Sequence, residues 1–92
     1  MTDAEITRAV GRLAGWQYRD RALEKTFAFT DFTAALAFMT AVAPTAERLN
    51  HHPDWSNSYN RVNVRLTSHD AGGVTERDFK LARAMEAASK QK

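Results

Sequence analysis

The stretch Arg61-Val62-Asn63-Val64-Arg65-Leu66-Thr67-Ser68 alternates polar and apolar residues from Arg61 to Thr67. A period of two marks a half-buried strand, with Val62, Val64 and Leu66 facing in and Asn63, Arg65 and Thr67 facing out. One packed face and one wet face is the habit of antiparallel sheets. Reading backward, Tyr59-Asn60 makes a turn and Trp55 to Ser58 supplies the partner strand of a hairpin. Reading forward, Gly72-Gly73 marks a loop. Thr75 then caps a final helix, with Asp78 at the third helical position and Phe79, Ala82 and Met85 on its buried side.

The first half of the chain repeats this order without repeating its residues. Thr2 and Glu5 have the spacing of a capping box, and Ile6, Val10 and Leu13 continue as an apolar stripe that stops at Gly15. Trp16 to Tyr18 and Lys25 to Phe29 read as two short strands, with Arg19-Asp20 suited to the turn between them. Asp31 is an N-cap for a longer helix whose apolar face is expected to carry Phe32, Leu36, Met39, Val42, Ala46 and Leu49. Pro44 removes one helical hydrogen bond, so a kink or local break is expected near Thr40 to Pro44. His51-His52-Pro53 ends the helix, because the residue before a proline is biased out of the α region. The expected fold is α+β in the order αββαββα: a four-stranded antiparallel sheet with three helices on one face.

Ninety-two residues leave room for one domain, taken as 1–92. A core of that size is marginal, so oligomerisation is expected. The absence of cysteine excludes a disulfide scaffold, a thiol nucleophile and every cysteine-containing zinc motif. A net charge of +2 is spread along the chain, with only Lys90-Gln91-Lys92 clustered, which is not the footprint of a nucleic-acid binder. The acidic start lacks an apolar segment after it, so no signal peptide is expected. Phe32 to Ala43, the longest mostly apolar stretch, falls short of the ~20 residues that span a bilayer. A cytoplasmic protein without membrane contact is the default.

All three histidines, His51, His52 and His69, fall in the loops at the two ends of the second hairpin unit, with Asp70 and Asp78 nearby in sequence. In an antiparallel hairpin those ends meet, and loops at sheet ends are where function concentrates. Imidazoles titrate near neutrality, so two of them on opposite sides of a ligand can donate and accept protons in one turnover. Zinc is the other reading, but adjacent side chains such as His51 and His52 seldom converge on one ion, and no HxxxH, HxH or HExxH spacing occurs. No metal is expected. Plainer roles stand beside these: Asp78 as a helix cap, Asp70 as a loop former, Trp55 and Tyr59 as hairpin core. Gly72-Gly73 resembles no phosphate loop, and no serine has a nucleophile-elbow context.

The run Asn50-His51-His52-Pro53-Asp54-Trp55, then Tyr59-Asn60, then Leu66-Thr67-Ser68-His69-Asp70-Ala71-Gly72-Gly73-Val74-Thr75 with Asp78, resembles the pterin-4a-carbinolamine dehydratases. Trp16, Phe27-Ala28-Phe29 and Ala46-Glu47 extend the likeness over nearly the whole chain. The resemblance implies a hydro-lyase that removes water from 4a-hydroxytetrahydropterin to give quinonoid dihydropterin, in tetrahydrobiopterin recycling. It implies His51 and His69 as the acid/base pair, His52 beside them and Asp78 supporting an imidazole. His51, His52, Pro53, Ser68, His69, Asp70 and Ala71 would line the pterin pocket, with Glu47 and Trp55 at its border. It implies no cofactor, with the pterin as substrate, a homodimer or homotetramer, and an aromatic amino acid hydroxylase as the source of substrate and a partner. Pro44 departs from the family's expected pattern. Two other readings share the fold: a binding module that partners a transcription factor or a hydroxylase, and a pterin-fold protein acting in molybdopterin-related metabolism.

Overall fold

The computed structural model describes residues 1–90, so Gln91 and Lys92 of the expected basic cluster lie outside the described residues. Helix α1 spans Asp3–Val10 and starts in the expected capping box. The Glu5 amide donates to Thr2 Oγ1 (3.1 Å), and the Thr2 amide donates to Glu5 Oε1 (2.7 Å). Strands β1 (Gln17–Arg19) and β2 (Ala22–Ala28) follow, then helix α2 (Phe32–Leu49) and strands β3 (Asp54–Ser58) and β4 (Arg61–Leu66). A single turn of 3₁₀ helix at His69–Ala71 leads to helix α3 (Glu76–Ser89). The strands form one antiparallel sheet in the order β1-β2-β4-β3. The architecture is α+β in the expected order.

Alternation in β4 does what its pattern requires. Val62, Val64 and Leu66 are buried and pair with Phe27, Lys25 and Leu23 of β2, while Asn63 and Arg61 stay exposed on the other face. That outer face is polar: Thr26 Oγ1 donates to Asn63 Oδ1 (2.8 Å), and Arg19 and Arg65 both pair with Glu24. On the inner face Phe27, Phe38, Val62, Phe79, Leu81 and Met85 meet in the core, with α2 and α3 packed against each other. Burial of such apolar area is the main stabilising term, roughly 25 cal/mol per Å².

Several local expectations are corrected. The first turn lies at Asp20-Arg21, not Arg19-Asp20, with φ of 52° and 62°, the positive pair that a two-residue hairpin turn demands. β1 and β2 therefore run Gln17–Arg19 and Ala22–Ala28 instead of Trp16–Tyr18 and Lys25–Phe29. In the second hairpin β3 starts one residue early, at Asp54, and β4 stops at Leu66 because Ser68 pairs instead with Gly73 across the loop. Tyr59 is not core: it sits at the turn with φ 51° and is 65% exposed, its carbonyl accepting from Asn57 Nδ2.

The remaining correction concerns α2. Its buried stripe is Ala35, Phe38, Val42 and Ala46, whereas Phe32 and Leu36 are 47% and 48% exposed. Val42 and Ala46 are buried and Met39 and Leu49 half-buried as expected, but at the start of the helix the core takes Ala35 and Phe38, the latter against Phe27, Phe29 and Trp55 with ring centroids 4.8, 5.1 and 6.5 Å away. The helix runs through Pro44 without a break, in keeping with an apolar stripe that continues past it. Thr40 and Pro44 are both exposed, so the carbonyl deprived of its amide partner lies on the solvent side, where water can replace the lost bond.

Candidate active site

Helix α2 stops at Asn50, which takes the left-handed conformation (φ 49°, ψ 44°) that asparagine tolerates better than most residues. That reversal turns His51 inward. Its amide donates to the Ala46 carbonyl (3.0 Å), and its ring, 8% exposed, lies against α3. There His51 Nε2 meets Asp78 Oδ1 at 2.5 Å.

Asp78 is fully buried. A buried carboxylate needs partners for its lone pairs, and this one has three donors. Oδ1 takes His51, and Oδ2 takes the Ser68 hydroxyl (2.9 Å) and the Thr75 amide (2.9 Å). The capping and supporting roles weighed for Asp78 are thus both present in one side chain, one on each oxygen. Among the described residues no buried side-chain nitrogen or oxygen lacks a partner.

The neighbouring imidazoles sit differently. His52 is exposed, and its Nε2 lies 2.6 Å from Glu47 Oε1, one turn back on α2. His69 opens the 3₁₀ turn and is exposed, without a hydrogen bond from its ring among the described residues. Its loop is nonetheless tied to His51, because Ser68, the residue before it, is the one that donates to Asp78. Asp70 is exposed and accepts from Arg77 (2.7 Å), and that hydrogen bond, ahead of the guanidinium's charge, holds its carboxyl below the ordinary carboxylate range. Gly72 closes the turn at φ 73°, where a side chain would be strained.

The other residues expected at the site are spread over several environments. Pro53 is half-buried, Ala71 is exposed, and Trp55 is half-buried with its ring turned toward Phe38. Ser68 is 1% exposed, its hydroxyl committed to Asp78 and Thr75. Two clefts take in one residue of this set each, Trp55 and Ala71. One, of about 590 Å³, is lined by Gln17, Arg19, Glu24, Asp54, Trp55 and Arg65, and the other, of about 340 Å³, lies between α1 and residues 71–75, Ala71 included. Neither is lined by a histidine. Among the described residues no three His, Cys, Asp or Glu side chains are grouped as a metal site would need. No helix among them is long and apolar enough to cross a membrane.

Sequence reasoning missed Arg77 as the partner of Asp70 and Thr75 as the partner of Ser68. Only the capping-box spacing signalled Thr75, and nothing in that spacing reports a second hydroxyl.

Two imidazoles pair with carboxylates beside the small α+β sheet, His51 with Asp78 and His52 with Glu47. The chain belongs to the pterin 4 alpha carbinolamine dehydratase family, whose model matches residues 1–88. It is 61% identical over 79 residues to a provisionally named pterin-4-alpha-carbinolamine dehydratase of Rhizobium etli, covering 84% of this chain and 78% of that one. A relative of the same provisional name from Opitutus terrae is 52% identical over 94% of this chain and 90% of its own. Among solved structures, a transcriptional coactivator/pterin dehydratase from Brucella melitensis superposes with a TM-score of 0.94 at 46% identity over 97% of both chains. A pterin dehydratase-like RuBisCO assembly factor of the alpha-carboxysome superposes with a TM-score of 0.66 at 26% identity, over 84% of this chain and 89% of its own.

Proposed function

We propose that the protein is a 4a-hydroxytetrahydropterin dehydratase working by histidine general acid/base catalysis, in the recycling of a tetrahydropterin after an aromatic hydroxylation. The observation that carries this reading is the His51–Asp78 pair, a buried carboxylate holding an imidazole in a loop tied to the one that bears His69. Loss of water from a carbinolamine breaks the C4a–O bond as a proton reaches the departing hydroxyl. A base removes a proton from the ring nitrogen system, whose lone pair drives the departure. His51 and His69 are the pair, with His52 beside them. Pro53, Asp70, Ala71, Glu47 and Trp55 border the pterin, and Ser68 contributes through Asp78. Positioned acid/base groups contribute about 10²- to 10⁴-fold, the scale needed for a reaction that also proceeds unaided.

The test is the rate at which freshly generated 4a-hydroxytetrahydropterin loses water, followed by ultraviolet absorbance with and without the protein. Acceleration is expected. A rate equal to that without protein would overturn the reading and favour a binding role, which the assembly-factor relative makes the second reading.

We further infer a homodimer or homotetramer. Phe32 and Leu36 stand exposed on α2, and β1 and β3 are edge strands with one side unpaired. Light scattering at micromolar concentration should give a multiple of 10.3 kDa, and a monomer mass would overturn the inference.

A further inference from the structure

The buried Ser68 hydroxyl ends on the carboxylate that holds His51, and the half-buried Thr75 hydroxyl lies against it. A carboxylate only accepts, so each of the three groups on Asp78 donates to it. The Ser68 hydroxyl has one hydrogen and gives it to Oδ2. Its contact with Thr75 Oγ1, 2.8 Å, must then run the other way, with the Thr75 hydroxyl donating to Ser68. Thr75 Oγ1 in turn accepts the Arg77 amide (3.3 Å). The chain therefore has one direction: Arg77 amide to Thr75, Thr75 to Ser68, Ser68 to Asp78, with His51 Nε2–H arriving on the far oxygen.

We propose that Ser68 and Thr75 are positioning residues that fix His51 in the Nε2–H tautomer, leaving Nδ1 as the nitrogen whose lone pair takes the proton. The inference rests on the dehydratase reading for its catalytic consequence and on hydrogen bonding alone for the tautomer. Two donors on Oδ2 hold the carboxylate plane, so Oδ1 keeps one lone pair aimed at Nε2. Without Ser68 the carboxylate is held on that side by the Thr75 amide alone and is free to turn. Because Ser68 also precedes His69, the same hydroxyl sets the spacing between the two imidazole-bearing loops.

Three variants test this: Ser68→Ala, Ser68→Thr and Thr75→Ser. The first removes the hydroxyl, and the other two keep one. Two readouts are taken: kcat and KM for pterin dehydration, and the ¹⁵N shifts of the His51 ring, which report which nitrogen carries the proton. Wild type should show Nε2–H. Ser68→Ala should show a mixture of tautomers with kcat lower by about tenfold and KM within about twofold, the lower end of the range found when outer hydrogen-bond partners of metal-bound imidazoles are removed. Thr75→Ser keeps the whole chain and should match wild type, and Ser68→Thr should restore most of kcat.

A His51 ring that stays Nε2–H in Ser68→Ala, with kcat lowered no further than stability explains, would overturn the positioning role. So would an Nδ1–H ring in wild type. If Ser68→Ala does not fold, wild type and Thr75→Ala carry the same test, with Thr75→Ala expected to loosen the tautomer less. Failure of wild type to accelerate dehydration would overturn the dehydratase reading and leave the ring measurement to decide the tautomer.

Discussion

Asp78→Ala is expected to destabilise the protein by about 3–5 kcal/mol, because three donors lose a buried acceptor at about 1–3 kcal/mol each. His51 Nε2, the Ser68 hydroxyl and the Thr75 amide would all lose their acceptor in a place water does not reach. For a domain of this size each kcal/mol moves Tm by roughly 4–8 °C, so thermal denaturation followed by circular dichroism should fall by at least about 12 °C. Asp78→Asn separates packing from charge. The amide keeps the volume, and its oxygen can still accept from Ser68 and Thr75. Its NH₂ then faces His51 Nε2 and requires a bare nitrogen there, the opposite tautomer. Asp78→Asn should therefore melt between wild type and Asp78→Ala while losing most of the catalysed rate. An Asp78→Ala variant melting within a few degrees of wild type would show that the three donors find other acceptors.

The second large effect falls on rate. His69→Ala should lower the catalysed dehydration by roughly 10²-fold, at the lower end of what a positioned acid or base contributes. Because His69 is exposed and its ring holds no other residue among those described, the substitution should leave stability within about 0.5 kcal/mol of wild type. His51→Ala should reduce the rate by a smaller factor and also cost about 1–3 kcal/mol, since Asp78 would keep two of its donors and lose the third. The contrast between the two variants is itself informative: one changes chemistry alone and the other changes chemistry and fold. Unchanged turnover in both would remove the acid/base assignment.

Local signals carried most of the fold. Both capping boxes, the Asp31 cap and the alternation of β4 depend on neighbours a few residues away, and each was legible as spacing. The buried face of α2 was legible only in part. Its second half was, with Val42 and Ala46 buried, but in the first half Phe32 and Leu36 fit the spacing as well as Ala35 and Phe38, and only the aromatic rings waiting on β2 and β3 decide between them. The Asp20-Arg21 turn was misplaced because arginine carries no propensity for positive φ. At the site, the clustering of histidines in two loops was visible, and so was Asp78. The contact between His51 and Asp78 joins residues 27 apart across two helices, and the burial that distinguishes His51 from His52 and His69 is a property of the folded molecule alone.

Asp78 closes the first turn of α3 with the same oxygen that Ser68 reaches, so that turn cannot fray without releasing His51. Helix ends ordinarily open far more often than whole domains do. With His51 in the proposed role, the fraction of molecules able to work at any instant is set by the opening equilibrium of one helical turn, and heating should withdraw molecules from service there before the sheet comes apart.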